Sequence, residues 1–294
     1  MKTTVIYHSA DYDGIFCREI ARKFLPEAEL IGWNFGDRQV PMPAEGAVYI
    51  LDLSPECLAD NPQIQGRVWN RMVWIDHHKT SIEKWPEAIQ GHRIDGVAAC
   101  RLAWQWFAAA RLAGDTALPG KAAFVNRTVI EPLAVRLAGE YDVWDHRDPD
   151  ALTLQFGLRF VEQGADFWEA LLQADGVGEK AVQDLVEHGR IAQRYQQKID
   201  ADLVKHRSFG MTWEGLNWVV LNTGRCNSLT FAAVDCPETG HDALLGYMFN
   251  GKAWTVSLFR ARHRMDLDLS VLAKKHGGGG HAGACGFTSE KWPF

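Results

Sequence analysis

Met72-Val-Trp-Ile-Asp76-His77-His78 is an apolar run that stops abruptly in one carboxylate and two imidazoles. Four apolar residues bounded by polar ones suit a short buried strand. The same form occurs upstream in Val48-Tyr-Ile-Leu-Asp52, and Thr4-Val-Ile-Tyr-His8 runs on into Ser-Ala-Asp11-Tyr-Asp13-Gly14. Strands are therefore expected over Thr4–Tyr7, Glu29–Trp33, Ala47–Leu53 and Arg71–Ile75. Between the first two, Ile15, Phe16, Ile20 and Phe24 recur at helical spacing, which predicts a helix over Gly14–Leu25. Strands alternating with helical segments argue an α/β fold with a mostly parallel sheet. In such sheets ligands sit just beyond the C-terminal ends of the strands, where these acidic and histidine clusters fall.

Beyond Asp95-Gly96 the pattern turns helical, with helices expected over Val97–Leu112, over Asn126–Leu137 across Pro132, and over Ala151–Leu172. Gly176-Val-Gly178 reads as a break, and Glu179–Arg207 as a long solvated helix linking two domains. From Phe209 the strand pattern returns in Phe209–Trp213, Trp218–Leu221, Ala243–Phe249 and Ala253–Phe259. Helical stretches near Ser228–Val234 and Asp268–Lys275 interrupt it, which makes a smaller α+β domain. The expected organisation is a catalytic domain over 1–178, a helical linker over 179–208 and a substrate-binding domain over 209–294.

A chain of 294 residues has room for about two domains and a sizeable core. Its 47% hydrophobic and 23% charged content excludes a disordered or collagen-like chain. A net charge of −6 argues against coating long nucleic acid through bulk charge. Six scattered cysteines without a Cys-x-x-Cys pair form neither a disulfide framework nor a zinc knuckle. No stretch approaches the roughly 20 apolar residues of a membrane span, and the N-terminus lacks a signal-peptide pattern, so a cytoplasmic protein without membrane contact is expected.

Each acidic cluster alone has a bland reading. A single Asp after a strand, such as Asp52, commonly caps a helix or forms a turn. Four clusters in this order on strand ends exceed that reading: His8/Asp11/Asp13, Asp52, Asp76-His77-His78, and Asp142 within Gly139-Glu-Tyr-Asp142-Val-Trp-Asp145. Carboxylates gathered without Lys or Arg repel one another unless a cation neutralises them. Mixed carboxylate and imidazole donors suit manganese, zinc or iron. Six or seven donors exceed the needs of one tetrahedral ion, and two ions sharing a bridging carboxylate fit better. Near the C-terminus, Gly277-Gly278-Gly279-Gly280-His281 would expose backbone N–H groups to phosphate oxygens, a flexible linker being the bland alternative. Upstream, Arg260, Arg262 and Arg264 offer a phosphate ligand, though a solvated surface accounts for one or two of them.

This ordered set resembles the DHH phosphoesterases that carry a DHH-associated C-terminal domain, a group that includes oligoribonuclease-like enzymes. The resemblance spans nearly the whole chain. It implies a two-manganese phosphoesterase with its active site in the cleft between the two domains. By that resemblance His8, Asp11 and Asp52 hold one metal, while Asp13, Asp52, His77 and Asp142 hold the other, with Asp52 bridging. Asp76 would orient its neighbouring histidines, and His78 would support the metals or face the substrate phosphate; these two are the catalytic candidates. Arg260, Gly278, Gly279, Gly280 and His281 would grip the substrate. The first motif is one residue shorter than the His-x-x-x-Asp-x-Asp of many members. The fourth has Tyr-Asp-Val-Trp in place of Asp-Thr-Gly, leaving Asp145 and Asp148 as competitors of Asp142.

The expected activity is metal-dependent hydrolysis of short oligonucleotides or nucleotide-sized phosphodiesters, by metal-activated hydroxide attack at phosphorus. Trp33, Trp74 and Trp144 are candidates to stack on a base, although packing in the core is the default for each. The alternatives are a phosphatase or phosphoanhydride hydrolase acting on nucleoside bisphosphate, pyrophosphate or polyphosphate, and a non-catalytic nucleotide-binding module.

Overall fold

The structure, a computed structural model, describes residues 2–59, 69–112, 118–145, 147–224, 226–234 and 236–294. The chain divides into two compact units, Met1–Ala192 and Gln193–Phe294.

The first unit is α/β. Strands β1 (Thr4–His8), β2 (Glu29–Trp33), β3 (Val48–Leu51) and β4 (Met72–Ile75) form a sheet in the order β2-β1-β3-β4. Every pairing is parallel, with His8 opposite Trp33, Tyr7 opposite Leu51, and Leu51 opposite Ile75. The period of two along each strand sorts side chains between two apolar layers. Val5, Tyr7, Leu51, Val73 and Ile75 pack with Phe16, Ile20 and Leu102 on one face. Ile6, Val48, Ile50, Met72 and Trp74 pack with Leu53, Leu58 and Ile89 on the other. Full burial of side chains such as Ile6 or Ile50 contributes about 1.5–3 kcal/mol each. Both faces are covered, as an all-parallel sheet requires.

Helix α1 (Tyr12–Phe24) returns from β1, and Asp11 caps it by accepting a hydrogen bond from Gly14 N at 3.1 Å. Helices α2 (Lys79–Lys84), α3 (Ala99–Leu112), α4 (Lys121–Val125), α5 (Leu133–Asp142), α6 (Pro149–Phe160) and α7 (Ala165–Leu171) follow. Three sequence expectations need correction here. The helix expected over Asn126–Leu137 does not form: α4 ends at Val125 and α5 starts only after Pro132, which is its N-cap. Proline disfavours helical geometry in the residue before it, and its own missing N–H is harmless at a helix start. The helix expected over Ala151–Leu172 is two, α6 and α7, and Gly164 precedes the second. Gly176-Val-Gly178 is not a break but the first turn of α8 (Gly176–Arg207), where Asp175 accepts from Val177 N and Gly178 N. The division between the two units falls within α8.

The second unit holds a mixed six-stranded sheet, ordered β5-β6-β7-β8-β10-β9. Its strands are β5 (Ser208–Trp213), β6 (Leu216–Asn222), β7 (Ala243–Phe249), β8 (Trp254–Arg260), β9 (Gly279–His281) and β10 (Ala284–Ser289). Helices α9 (Cys236–Thr239) and α10 (Leu269–Lys275) complete it. The pairing of β6 with β7 is parallel and the others are antiparallel. The glycine run, expected as an open loop, is therefore largely a strand: Gly279–His281 pairs with β10. A Cβ on Gly278 would stand 2.0 Å from Gly286 O, and one on Gly280 would stand 2.7 Å from Cys285 Cα. Close packing of two backbones accounts for glycine at these two positions. Among the described residues, no helix is long and apolar enough to cross a membrane.

Candidate metal centre

Three strand ends lie side by side because β3 pairs with both β1 and β4. His8 ends β1, Asp52 follows β3 directly, and Asp76-His77-His78 follows β4. Helix α1 brings Asp11 and Asp13 to the same edge, and the last residue of α5 brings Asp142. The turn into α1 is tight: a Cβ on Gly14 would stand 1.9 Å from the carbonyl oxygen of His8.

Asp52 is the hub. It is 2% exposed, and neither of its oxygens has a hydrogen-bond partner. Its Oδ2 lies 3.4 Å from His8 Nδ1, and its Oδ1 lies 3.4 Å from His77 Nε2. Its φ of 59° is left-handed, a conformation that costs a non-glycine residue about 1–2 kcal/mol. Three donor groups with converging atoms surround it: His8/Asp11/Asp52, Asp52/His77/His78 and Asp13/His77/Asp142. His8 Nδ1 is 3.1 Å from Asp11 Oδ2, while His77 Nε2 is 3.3 Å from Asp142 Oδ2 and 3.6 Å from Asp13 Oδ2. Donor atoms roughly 3.0–3.4 Å apart are what metal bonds of about 2.1 Å produce.

Supporting contacts fix these donors. Asp13 accepts from Ala99 N at 2.9 Å and Cys100 N at 2.7 Å, so it also caps α3. Asp76, fully buried, accepts from His77 N, His78 N and His78 Nδ1 with one oxygen, the last at 2.7 Å, and its other oxygen is unpartnered. Behind Asp142, the buried Glu140 accepts from Arg127 and Arg136 at 3.0 Å each, and Arg136 reaches Asp148 at 3.1 Å.

Electrostatics match a site built for positive charge. Burial disfavours the imidazolium of His8, but contact with the Asp11 and Asp52 carboxylates outweighs burial and raises the group to about 10. Burial likewise opposes the His77 imidazolium, which Asp52, Asp13 and Asp142 raise to about 10. Burial would push Asp52 up, yet its two histidine neighbours hold it at about 2. Asp13 is pushed up to about 7 by burial and by the charge on Asp52. Burial and the Asp13 charge raise Asp142 well above the usual carboxylate range. Without a cation, protons on the histidines offset the carboxylates, and a divalent ion displaces those protons. The unpartnered oxygens of Asp52 and the unpartnered Nδ1 of His8 are the donor atoms such an ion needs, so the residues present fit a metal.

The structure brings His8, Asp11, Asp13, Asp52, His77 and Asp142 together, adds His78 to the set of Asp52 and His77, and leaves Asp76 outside the converging groups, against His78. Asp145 pairs instead with Arg147 at 2.6 Å, and Asp148 caps α6, so neither joins the converging groups. Of the tryptophans, Trp74 and Trp33 are buried and Trp144 is 57% exposed. The remaining candidates lie in the second unit. Arg260, at the end of β8, donates through Nη1 to the carbonyls of Met265 and Leu267 at 3.3 and 3.1 Å. Arg264 pairs with Asp242 and Asp266. His281 is exposed at the end of β9, and Gly278 and Gly279 are half-buried.

Sequence reading missed Asn34, whose Oδ1 lies 3.3 Å from His8 Nε2. It follows β2 directly, so the rule that selected His8, Asp52 and Asp76 selects it too. It also missed the capping of α3 by Asp13, which no spacing of residues reveals.

No protein-family model matches the chain. It is 25% identical over 235 residues to the uncharacterized protein R106 of Acanthamoeba polyphaga mimivirus; the match covers 75% of this chain and about half, 48%, of that protein. Among solved structures, the DHH domain of a member of a family of ribosomal proteins aligns over 98% of this chain and 82% of its own, with a TM-score of 0.54 and 13% identity. An exopolyphosphatase-related protein from Bacteroides fragilis aligns over 100% and 87%, with a TM-score of 0.50 and 12% identity. These are likenesses of fold, and with the parallel sheet and its second mixed-sheet unit they give the conclusion that this chain has the fold of the DHH-domain proteins.

Proposed function

We propose that the chain is a divalent-metal-dependent phosphoesterase of the DHH type that hydrolyses short oligonucleotides or nucleotide-sized phosphodiesters. The observation that carries this reading is Asp52: a buried carboxylate without hydrogen bonds whose two oxygens face two different donor sets. That is the disposition of a bridge between two ions. His8, Asp11 and Asp52 would hold one ion, and Asp13, Asp52, His77 and Asp142 the other. Manganese suits this mixture of oxygen and imidazole donors. When bound, such ions supply positive charge to the phosphoryl oxygens and acidify the attacking water.

The chain's own residues do the rest. Asp76 accepts from His78 Nδ1, and its charge favours the His78 imidazolium against the opposing effect of burial; in that form Nε2–H is the donor available to a phosphoryl oxygen. Asp76 also holds the His77 and His78 backbone N–H groups, so both imidazoles leave the strand in fixed directions. One exposed aromatic ring stands beside the donors, Phe35, 68% exposed and edge-on to His8 at 5.8 Å. Trp144, two residues after Asp142, is exposed and stacks with Tyr141 at 6.5 Å. Aromatic faces suit nucleobases, which favours nucleotide-bearing substrates over inorganic ones. In the second unit, Arg260 and His281 are assigned to the substrate's phosphates, because a guanidinium anchored through one nitrogen has others left to donate.

The test is a substrate panel with Mn²⁺: dinucleotides, longer single strands, cyclic dinucleotides, nucleoside bisphosphates, pyrophosphate and polyphosphate. Release of mononucleotides from the shortest substrates supports the proposal. Turnover of pyrophosphate or polyphosphate alone would replace it with a phosphoanhydride hydrolase, and binding of nucleotides with no turnover of any substrate would replace it with a nucleotide-binding module.

A further inference from the structure

Asn34 follows β2 on the edge that carries the metal donors, and its side-chain oxygen meets two groups. The backbone N–H of Phe35 donates to Oδ1 at 2.8 Å, and Nε2 of His8 lies 3.3 Å from the same atom. The first contact fixes the chemistry of the second. A backbone N–H only donates, so the amide atom it reaches is the oxygen and not the NH2 group. An oxygen only accepts, so His8 Nε2 must carry a hydrogen. The lone pair of the neutral ring then resides on Nδ1. That nitrogen is the one 3.1 Å from Asp11 Oδ2 and 3.4 Å from Asp52 Oδ2, and it is buried without a hydrogen-bond partner.

We propose that Asn34 is a positioning residue for His8: it keeps the proton on Nε2 and presents Nδ1 to the cation shared with Asp11 and Asp52. The proposal rests on the reading of this cluster as a metal centre. The turn that holds Asn34 is itself braced. Asn34 N donates to Asp37 Oδ2 at 2.8 Å, Asp37 N donates back to Asn34 O at 3.0 Å, and Trp33 Nε1 donates to Arg38 O at 3.3 Å. Phe35 packs edge-on against both His8 and Trp33, at 5.8 and 5.5 Å, which limits rotation of the imidazole. A donor histidine whose second nitrogen is tied to a fixed acceptor is the usual arrangement at metal sites, and loss of that acceptor lowers metal affinity by roughly 10–100-fold.

The test is ¹⁵N spectroscopy of the imidazoles in the full chain, with Zn²⁺ as a diamagnetic probe. In the unmodified protein Nε2 of His8 should keep its directly bonded proton, and Nδ1 should take the shift of a coordinated nitrogen. Asn34→Leu should weaken Zn²⁺ binding by roughly 10–100-fold and broaden or abolish the Nε2–H signal, and Asn34→Asp, which keeps an acceptor oxygen, should restore both. Asp37→Ala disturbs the turn but not Oδ1, and it should leave the Nε2–H signal in place. Coordination through Nε2 overturns the proposal, as does an equal loss of affinity in Asp37→Ala and Asn34→Leu. The spectrum of the unmodified protein decides the assignment even if Asn34→Leu does not fold. If neither His8 nitrogen responds to Zn²⁺, the metal-centre reading itself falls.

Discussion

His77 and Asp52 meet at 3.4 Å, Nε2 to Oδ1, where the ends of β4 and β3 lie side by side. The contact joins two donor sets through a carboxylate that has no hydrogen bond of its own. Replacement of Asp52 by Ala should therefore remove a donor from both ions at once. We expect metal content to drop below two per chain and turnover to fall on the order of a thousandfold or more, the scale of several kcal/mol of lost transition-state stabilisation. Metal analysis alongside kinetics checks this, and two retained ions with near-normal turnover would remove Asp52 from the bridge.

Protonation gives an independent check. His8 and His77 are raised to about 10 in the metal-free protein, and Asp13 to about 7. A histidine whose pKa is raised by folding contributes stability that is complete below its unfolded value, near 6.5, and is lost as pH rises through about 10. The melting temperature of the metal-free protein should accordingly fall between pH 7 and 10. Metal affinity should rise over the same window, by about tenfold per pH unit for each proton displaced. Calorimetric titration in buffers of different ionisation enthalpy measures the protons released; a pH-independent affinity would contradict the assignment of these histidines as donors.

Asp76 holds its neighbours rather than joining the converging donors. Asp76→Ala should leave metal bound and reduce turnover roughly 10–100-fold, through loss of the contact with His78 Nδ1. Complete loss of metal in this variant would make Asp76 a donor in its own right.

Gly14→Ala tests how the site is built. The added methyl meets the His8 carbonyl at 1.9 Å, a contact that only a shift of α1 or β1 relieves. We expect at least about 2 kcal/mol of destabilisation in chemical denaturation, together with weakened metal binding, since both His8 and Asp13 depend on that junction. An unchanged midpoint would mean that the junction is looser than the packing indicates.

Much of this centre was legible in the sequence because one physical rule repeats. An apolar strand with a polar residue just past its C-terminal end marked His8, Asp52 and Asp76, and parallel pairing then set those ends together. Asn34 obeys the same rule after β2 but is uncharged, so it adds nothing to the clustering of charge that marks the others. The helix over Asn126–Leu137 failed because apolar periodicity runs across Pro132 without registering that proline suits a helix start better than its interior. Composition alone predicts a loop for the glycine run. What decides its conformation is the hairpin partner β10, whose backbone stands against Gly278 and Gly280, a pairing that glycine composition does not signal. The resemblance selects Asp142 over Asp145, and the structure supplies the physical reason, the pairing of Asp145 with Arg147 and the end of α5 at Asp142.

The second unit offers a separable prediction. Arg260→Ala or His281→Ala should spare metal content while raising KM or lowering kcat for nucleotide substrates. Loss of metal from either variant would withdraw their assignment to substrate phosphates.

The measurement closest to the central claim is anomalous scattering from crystals of the protein grown with Mn²⁺. The account predicts two peaks about 3.5–4 Å apart, with one oxygen of Asp52 bound to each or one oxygen shared, His8 and Asp11 on one ion, and Asp13, His77 and Asp142 on the other. A single peak, or a pair of peaks that leaves Asp52 uncoordinated, would contradict it.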